Sequence, residues 1–145
     1  MAGFGDTFEN DLCKLIFNAT AIANIADNAG SSPSTALWVS LHTADPGDTG
    51  TQGTNETSYT GYARVAVART TGGWVVTNNS VSPVSNITYG QATSTSTGTL
   101  THAAIGLTSA STGGKIIAAG AISPNINFSQ NVTPQLTTGS SFTLD

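Results

Sequence analysis

Three acidic side chains, Asp45, Asp48 and Glu56, fall within residues 45–56, and a loop offering three oxygen ligands can hold Ca²⁺ if backbone carbonyls complete the shell. Their spacing does not match an EF-hand loop. Asp45-Pro46-Gly47-Asp48 has a simpler reading, because Pro at the second position and Gly at the third favour a type II turn. His42 and His102 would ligate a metal only if the fold supplied a third ligand beside them, so each is read as a hydrogen-bonded histidine at a strand end. Ser, His and Asp are all present, yet there is no Gly-x-Ser-x-Gly elbow, no phosphate-binding Gly-x-x-x-x-Gly-Lys and no Gly-x-Gly-x-x-Gly. The single cysteine, Cys13, excludes an intrachain disulfide and has no histidine near it in the chain, which favours helix packing over a catalytic thiol. All eight acids lie in the opening segment, the loop or the C-terminus, where a glycan hydrolase on a β-scaffold would need paired carboxylates in a groove. The expectation is no catalytic residue, no cofactor, no metal and no enzyme.

The elements that must carry these residues are legible in the hydrophobic pattern. From Asp6 to about Asp27, Phe8, Leu12, Leu15, Ile16, Ala19, Ile22, Ala23 and Ala26 recur at helical spacing, with Asp6 or Thr7 as N-cap and a stop at Asn28-Ala29-Gly30. Ser31 to Ser34 is a linker. Ala36 to His42 then reads as a strand with Leu37, Val39 and Leu41 on one face, and Thr43 to Tyr59 as a long exposed loop. Gly61 to Ala68 and Trp74 to Thr77 flank a turn at Gly72-Gly73. Further strands are predicted at Val84 to Tyr89, Thr99 to Leu107, Lys115 to Ala121, Ile126 to Phe128 and Ser141 to Leu144, with a hairpin turn at Gly113-Gly114. Short strands at this spacing predict a mainly β chain: an antiparallel β-sandwich or jelly-roll-like domain with an N-terminal α-helix. Residues 1–30 form its arm and helix and residues 31–145 the sandwich, in a single structural domain.

Composition narrows the function classes. Of 145 residues, only 12 are charged, against 24 Thr, 16 Ser and 16 Gly, where an ordinary domain carries roughly a quarter charged residues. Disorder does not explain this, since 38% of the residues are hydrophobic and the net charge is only -4. The four basic residues, Lys14, Arg64, Arg69 and Lys115, are scattered and give no footprint for nucleic acid. No apolar run approaches the roughly 20 residues that span a bilayer, and acidic Asp6, Glu9 and Asp11 stand where a signal peptide would be basic. A surface this poor in charge fits contact with other proteins.

The order Leu37-Trp38-Val39-Ser40-Leu41-His42-Thr43-Ala44-Asp45-Pro46-Gly47-Asp48-Thr49-Gly50, then Asn55-Glu56, then Gly61 to Val67, resembles a widespread family of small tailed-bacteriophage virion proteins. Leu100 to Leu107, followed by Ser111-Thr112-Gly113-Gly114-Lys115-Ile116-Ile117-Ala118, is similar to that family's second signature, and Ser141 to Leu144 to its closing strand. The resemblance implies a bacteriophage structural protein, assembled in the host cytoplasm and resident in the virion on the outer capsid or the tail. Its first expectation is a capsid decoration or cement protein, a homotrimer that binds the major capsid protein and stabilises the assembled shell by mass action. The alternative is a tail or tail-fibre-associated protein in contact with the host surface. Neither implies direct nucleic-acid or membrane partners. The candidate interface residues are Phe4, Phe8 and Leu12 as anchors, and Asp45, Pro46, Asp48, Glu56 and Tyr59 on the loop.

Overall fold

In the computed structural model, residues 6–22 and 34–143 are described, apart from the side chains of Asp6 and Phe8. Among them are helix α1 (Asp6–Asn18) and strands β1 (Ala36–His42), β2 (Val65–Ala68), β3 (Trp74–Thr77), β4 (Ser80–Pro83), β5 (Ile87–Thr88), β6 (Gly98–Gly106), β7 (Ile116–Phe128), β8 (Gln135–Leu136) and β9 (Phe142–Thr143). The chain is mainly β, with antiparallel pairing and one helix ahead of the strands, the sandwich class that the sequence predicts.

The helix is shorter than the periodicity predicts, ending at Asn18 instead of near Asp27. Ala19 takes a left-handed φ of 54°, and the Thr20 amide turns back to donate to the Lys14 carbonyl at 3.1 Å, which closes the last turn. A distant side chain completes the cap: the Arg69 guanidinium donates to the carbonyls of Leu15 and Ile16, placing a cation at the negative end of the helix dipole. The predicted stop at Asn28 to Gly30, most of the Ser31 to Ser34 linker and the arm before Asp6 lie outside the described residues.

The chain divides into two compact units. The first comprises residues 1–36, 67–86 and 137–145 and holds α1 with an antiparallel sheet in the order β3-β4-β9. Cys13, predicted to serve helix packing, is buried together with Phe17 one turn further on, whereas Leu12, Leu15, Ile16 and Ala19 of the predicted stripe are only partly buried, so the inward face of the helix is rotated from the one the spacing predicts. Phe17 meets Trp74 edge-on at 5.1 Å between ring centroids and Phe142 at 5.1 Å, so helix and sheet share one aromatic core. Asn78, at a φ of 55°, turns β3 into β4. The turn at Gly72-Gly73 forms as predicted, closed by Gly73 donating to Thr70. The strand predicted over Val84 to Tyr89 is instead β4 and the short β5, because the Asn78-Asn79 hairpin brings the return strand forward to Ser80.

The second unit comprises residues 37–66 and 87–136. Its sheet runs β2-β1-β6-β7, and β5 pairs with β8 in a separate ribbon. Strand β1 lies against β6 in the register Trp38↔Gly106 to His42↔His102. Leu37, Val39 and Leu41 are buried as predicted, but Ser40 and His42 are buried too, so from Ser40 onward both faces of this central strand are covered. The segments predicted as Lys115 to Ala121 and Ile126 to Phe128 form one strand, interrupted where Ile122 to Asn125 bulge out opposite Thr101. Tyr59 packs on Phe128 at 4.8 Å and on Tyr62 at 5.4 Å, while Tyr62 stacks on Tyr89 at 6.1 Å with the rings 14° apart.

Candidate functional site

The residues with chemical capacity converge in the second unit. Ser40 and His42, two apart on β1, share a face, and Ser40 Oγ stands 2.9 Å from His42 Nε2. The other ring nitrogen, Nδ1, is 2.9 Å from the Thr54 carbonyl, which only accepts. Nδ1 therefore carries the proton, and Nε2 of the neutral ring accepts from the Ser40 hydroxyl. Burial holds the His42 pKa below its ordinary value, which keeps the ring in that neutral form. A nucleophile, a base and an orienting group are in hydrogen-bond reach, as acyl transfer requires, but Ser40 and His42 are both 0% exposed. No substrate reaches that hydroxyl without unfolding β1. The dyad fastens the residue 43–59 loop to the sheet.

A second lock lies beside it. Arg64 donates to Glu56 through Nε and Nη2, each at 2.7 Å, and the two side chains are 1% and 7% exposed. The guanidinium also donates to the carbonyls of Thr108 and Gly113, both at 3.1 Å, and Tyr62 donates to Glu56 Oε1 at 2.8 Å while accepting from the Leu41 amide. The hydrogen bonds to Glu56 raise the Arg64 pKa, and burial raises that of Tyr62, so both stay protonated. Fully buried Gln52 joins the same hairpin: Nε2 donates to the Trp38 carbonyl at 2.9 Å and Oε1 accepts from the Thr108 amide. Gly114 must be glycine here, since its φ is +100° and a Cβ would stand 2.2 Å from Thr108 Cγ2. Tyr59 closes the loop by donating to the Gly90 carbonyl at 2.9 Å, its hydroxyl pKa pushed up to about 12 by burial.

The loop predicted as exposed is so at most positions, but Pro46, Gln52, Thr57 and Tyr59 are buried. In its outer part the backbone turn falls two residues later than predicted, over Gly47 to Gly50 with the Gly50 amide donating to the Gly47 carbonyl, while Gly47, at a φ of 71°, donates its amide to Asp45 Oδ1. Gly61 to Arg64, predicted as strand, is irregular because Tyr62 and Arg64 turn inward to Glu56, and only Val65–Ala68 pairs as β2.

The sequence-derived interface residues are dispersed. Phe4 lies outside the described residues, Phe8 is on α1, and Leu12 is half-buried there. Asp45 and Asp48 are exposed, whereas Pro46, Glu56 and Tyr59 are turned inward. Across β1 and β6 the two histidines are register partners, and Glu56 forms a bridge to His42 on the other side. Glu56 is nonetheless taken by Arg64 and Tyr62, and among the described residues no cluster of three His, Cys, Asp or Glu side chains is placed to hold a metal ion. Sequence reasoning missed Arg64, Gln52 and Tyr62. The available signal was a lone arginine in an apolar run of a chain with four basic residues.

Antiparallel sheets, with a loop fastened by one buried ion pair, define a mainly β chain. Residues 3–141 match the family model described as Podophage GP4 fiber I protein gp80, and the chain belongs to that family. It is accordingly a structural protein of a phage virion, in agreement with the resemblance carried by the Leu37 to Gly50 and Leu100 to Ala118 motifs. Comparison with curated proteins gives no match.

Proposed function

We propose that the chain is a non-enzymatic building part of the tail fibre, in contact with neighbouring fibre subunits. The carrying observation is the family match over residues 3–141, whose description names a fibre protein. That match favours the tail-fibre alternative over the capsid-cement expectation. The interior supports it: a loop pinned by Gln52, Glu56 and Arg64 presents a fixed surface, as a part that transmits force needs. Immunogold labelling of purified particles, with the copy number measured against the major capsid protein, tests the reading. Label on the fibres at low copy number is expected. Label spread over the shell at high copy number would replace it with the decoration role.

A further inference from the structure

His42 lies at the end of β1 with no exposed surface, and its ring is held by a strap that solvent does reach. The strap is Gly53 to Asn55, in which Gly53 and Asn55 are exposed and Thr54 is half-buried. It spans two pins, since Gln52 is fixed to Trp38 and Thr108, and Glu56 to Arg64. Two residues fasten the strap to the end of β1. His42 Nδ1 donates to the Thr54 carbonyl at 2.9 Å, and Thr43 donates both its amide, at 2.9 Å, and its hydroxyl to the Asn55 carbonyl.

We propose that Gly53 to Asn55 is an acid-sensitive strap: as His42 gains its second ring proton from solvent, the strap lifts off the end of β1 while Gln52 and Glu56 stay pinned. Hydrogen bonding does not resist that proton. With Nε2 protonated the ring would donate to Ser40 Oγ, and the hydroxyl would turn to the Ala104 carbonyl, 3.3 Å away. Burial and charge resist it, because an imidazolium without exposed surface gives up its hydration. Of the charged side chains that act on the ring, Glu56 favours the proton but is committed to Arg64, while the Arg64 cation opposes it. His102, the register partner on β6, opposes it as well, and Tyr62 keeps its own proton and adds no charge. Hydrating the ring from the sheet side breaks the β1–β6 ladder from Trp38 to His42, whereas lifting the strap gives up the bonds of His42 and Thr43 to Thr54 and Asn55. The strap is the weaker side. The closed strap excludes a proton that the open one admits, so closure is favoured above about pH 6.5 and weakens as pH falls through that value.

The test follows amide hydrogen exchange of the full chain at pH 7.5 and 5.5, with each rate divided by the intrinsic rate at that pH. The reporter is the Thr43 amide, which donates to the strap at Asn55, and the reference is the set of amides in the β1–β6 ladder. Thr43 is expected to exchange well ahead of the ladder at both pH values and to be insensitive to low urea, as a local opening is. Its opening should rise about tenfold from pH 7.5 to 5.5, the factor for a histidine that is protonated only when open. Exchange of Thr43 in step with the ladder overturns the strap, as does an opening that stays flat with pH. His42→Gln is expected to abolish the rise, and a rise that persists in a folded His42→Gln chain overturns the assignment to this ring. The strap does not depend on where in the virion the chain sits, so its failure leaves the fibre reading standing, and the reverse holds as well.

Discussion

Arg64 grips Glu56 through two hydrogen bonds of 2.7 Å in a site that water scarcely reaches, and the same guanidinium ties down the carbonyls of Thr108 and Gly113. One side chain thus joins the residue 43–59 loop to the β6–β7 hairpin. Arg64→Ala leaves a buried carboxylate with Tyr62 as its remaining partner, and should destabilise the chain by about 3–5 kcal/mol in chemical denaturation. Arg64→Lys keeps the charge and loses the two-pronged geometry, so it should recover only part of that loss. A change within about 0.5 kcal/mol for Arg64→Ala would reject the lock.

The buried imidazole of His42 makes stability depend on pH in a definite direction. Its folded pKa is lowered, so between the unfolded value of about 6.5 and the folded value the unfolded chain binds the extra proton. Stability is therefore fully present above about pH 6.5 and falls as pH drops below it, by at most about 1.4 kcal/mol per unit. Denaturation curves from pH 7.5 to 5.5 measure this slope. His42→Asn should flatten it, and an unchanged slope in that variant would assign the effect elsewhere.

Helix α1 takes its C-terminal cap from Arg69, which is distant in sequence but belongs to the same unit. Arg69→Ala frees the Leu15 and Ile16 carbonyls and should cost about 1–2 kcal/mol, with the last helical turn losing amide protection first in hydrogen exchange. Protection unchanged along α1 would count against the cap.

Cys13 offers a reporter on the first unit. Burial, with the Glu9 carboxylate second, pushes its thiol pKa up, and the sulfur donates to the Asn79 carbonyl at 3.7 Å. Alkylation in native buffer should be slow and should accelerate with denaturant as the unit opens. Phe17→Ala, which empties the centre of the aromatic core against Trp74 and Phe142, should destabilise by about 3–5 kcal/mol and speed labelling in native buffer. Fast labelling of the unmutated chain would contradict the burial.

The strands were legible where turn chemistry announced their ends. Gly72-Gly73 turns as its residue types demand, Gly113-Gly114 takes positive φ in the β6–β7 connection, and β1 starts and stops at the predicted positions. The failures share a cause, since each depends on a partner remote in sequence. Alternation put Leu37, Val39 and Leu41 on one face and His42 is the hydrogen-bonded histidine at a strand end that the sequence predicts, but nothing local reports that Thr54 and Ala104 come to bury it and Ser40. Helical spacing ran on past Asn18, and the left-handed Ala19 with the Arg69 cap ends it instead. Glu56 and Tyr59 looked like surface because the loop around them is polar, yet that polarity satisfies an interior network anchored on Arg64.

Neither unit is a continuous stretch of chain: the first is assembled from three segments and the second from two. Phe142, from the third segment, completes the ring contacts of Phe17 in α1. A ribosome must therefore release the closing strand before the earliest helix finds its full complement of neighbours, and a gene fragment cut at any single point would encode at most one whole core.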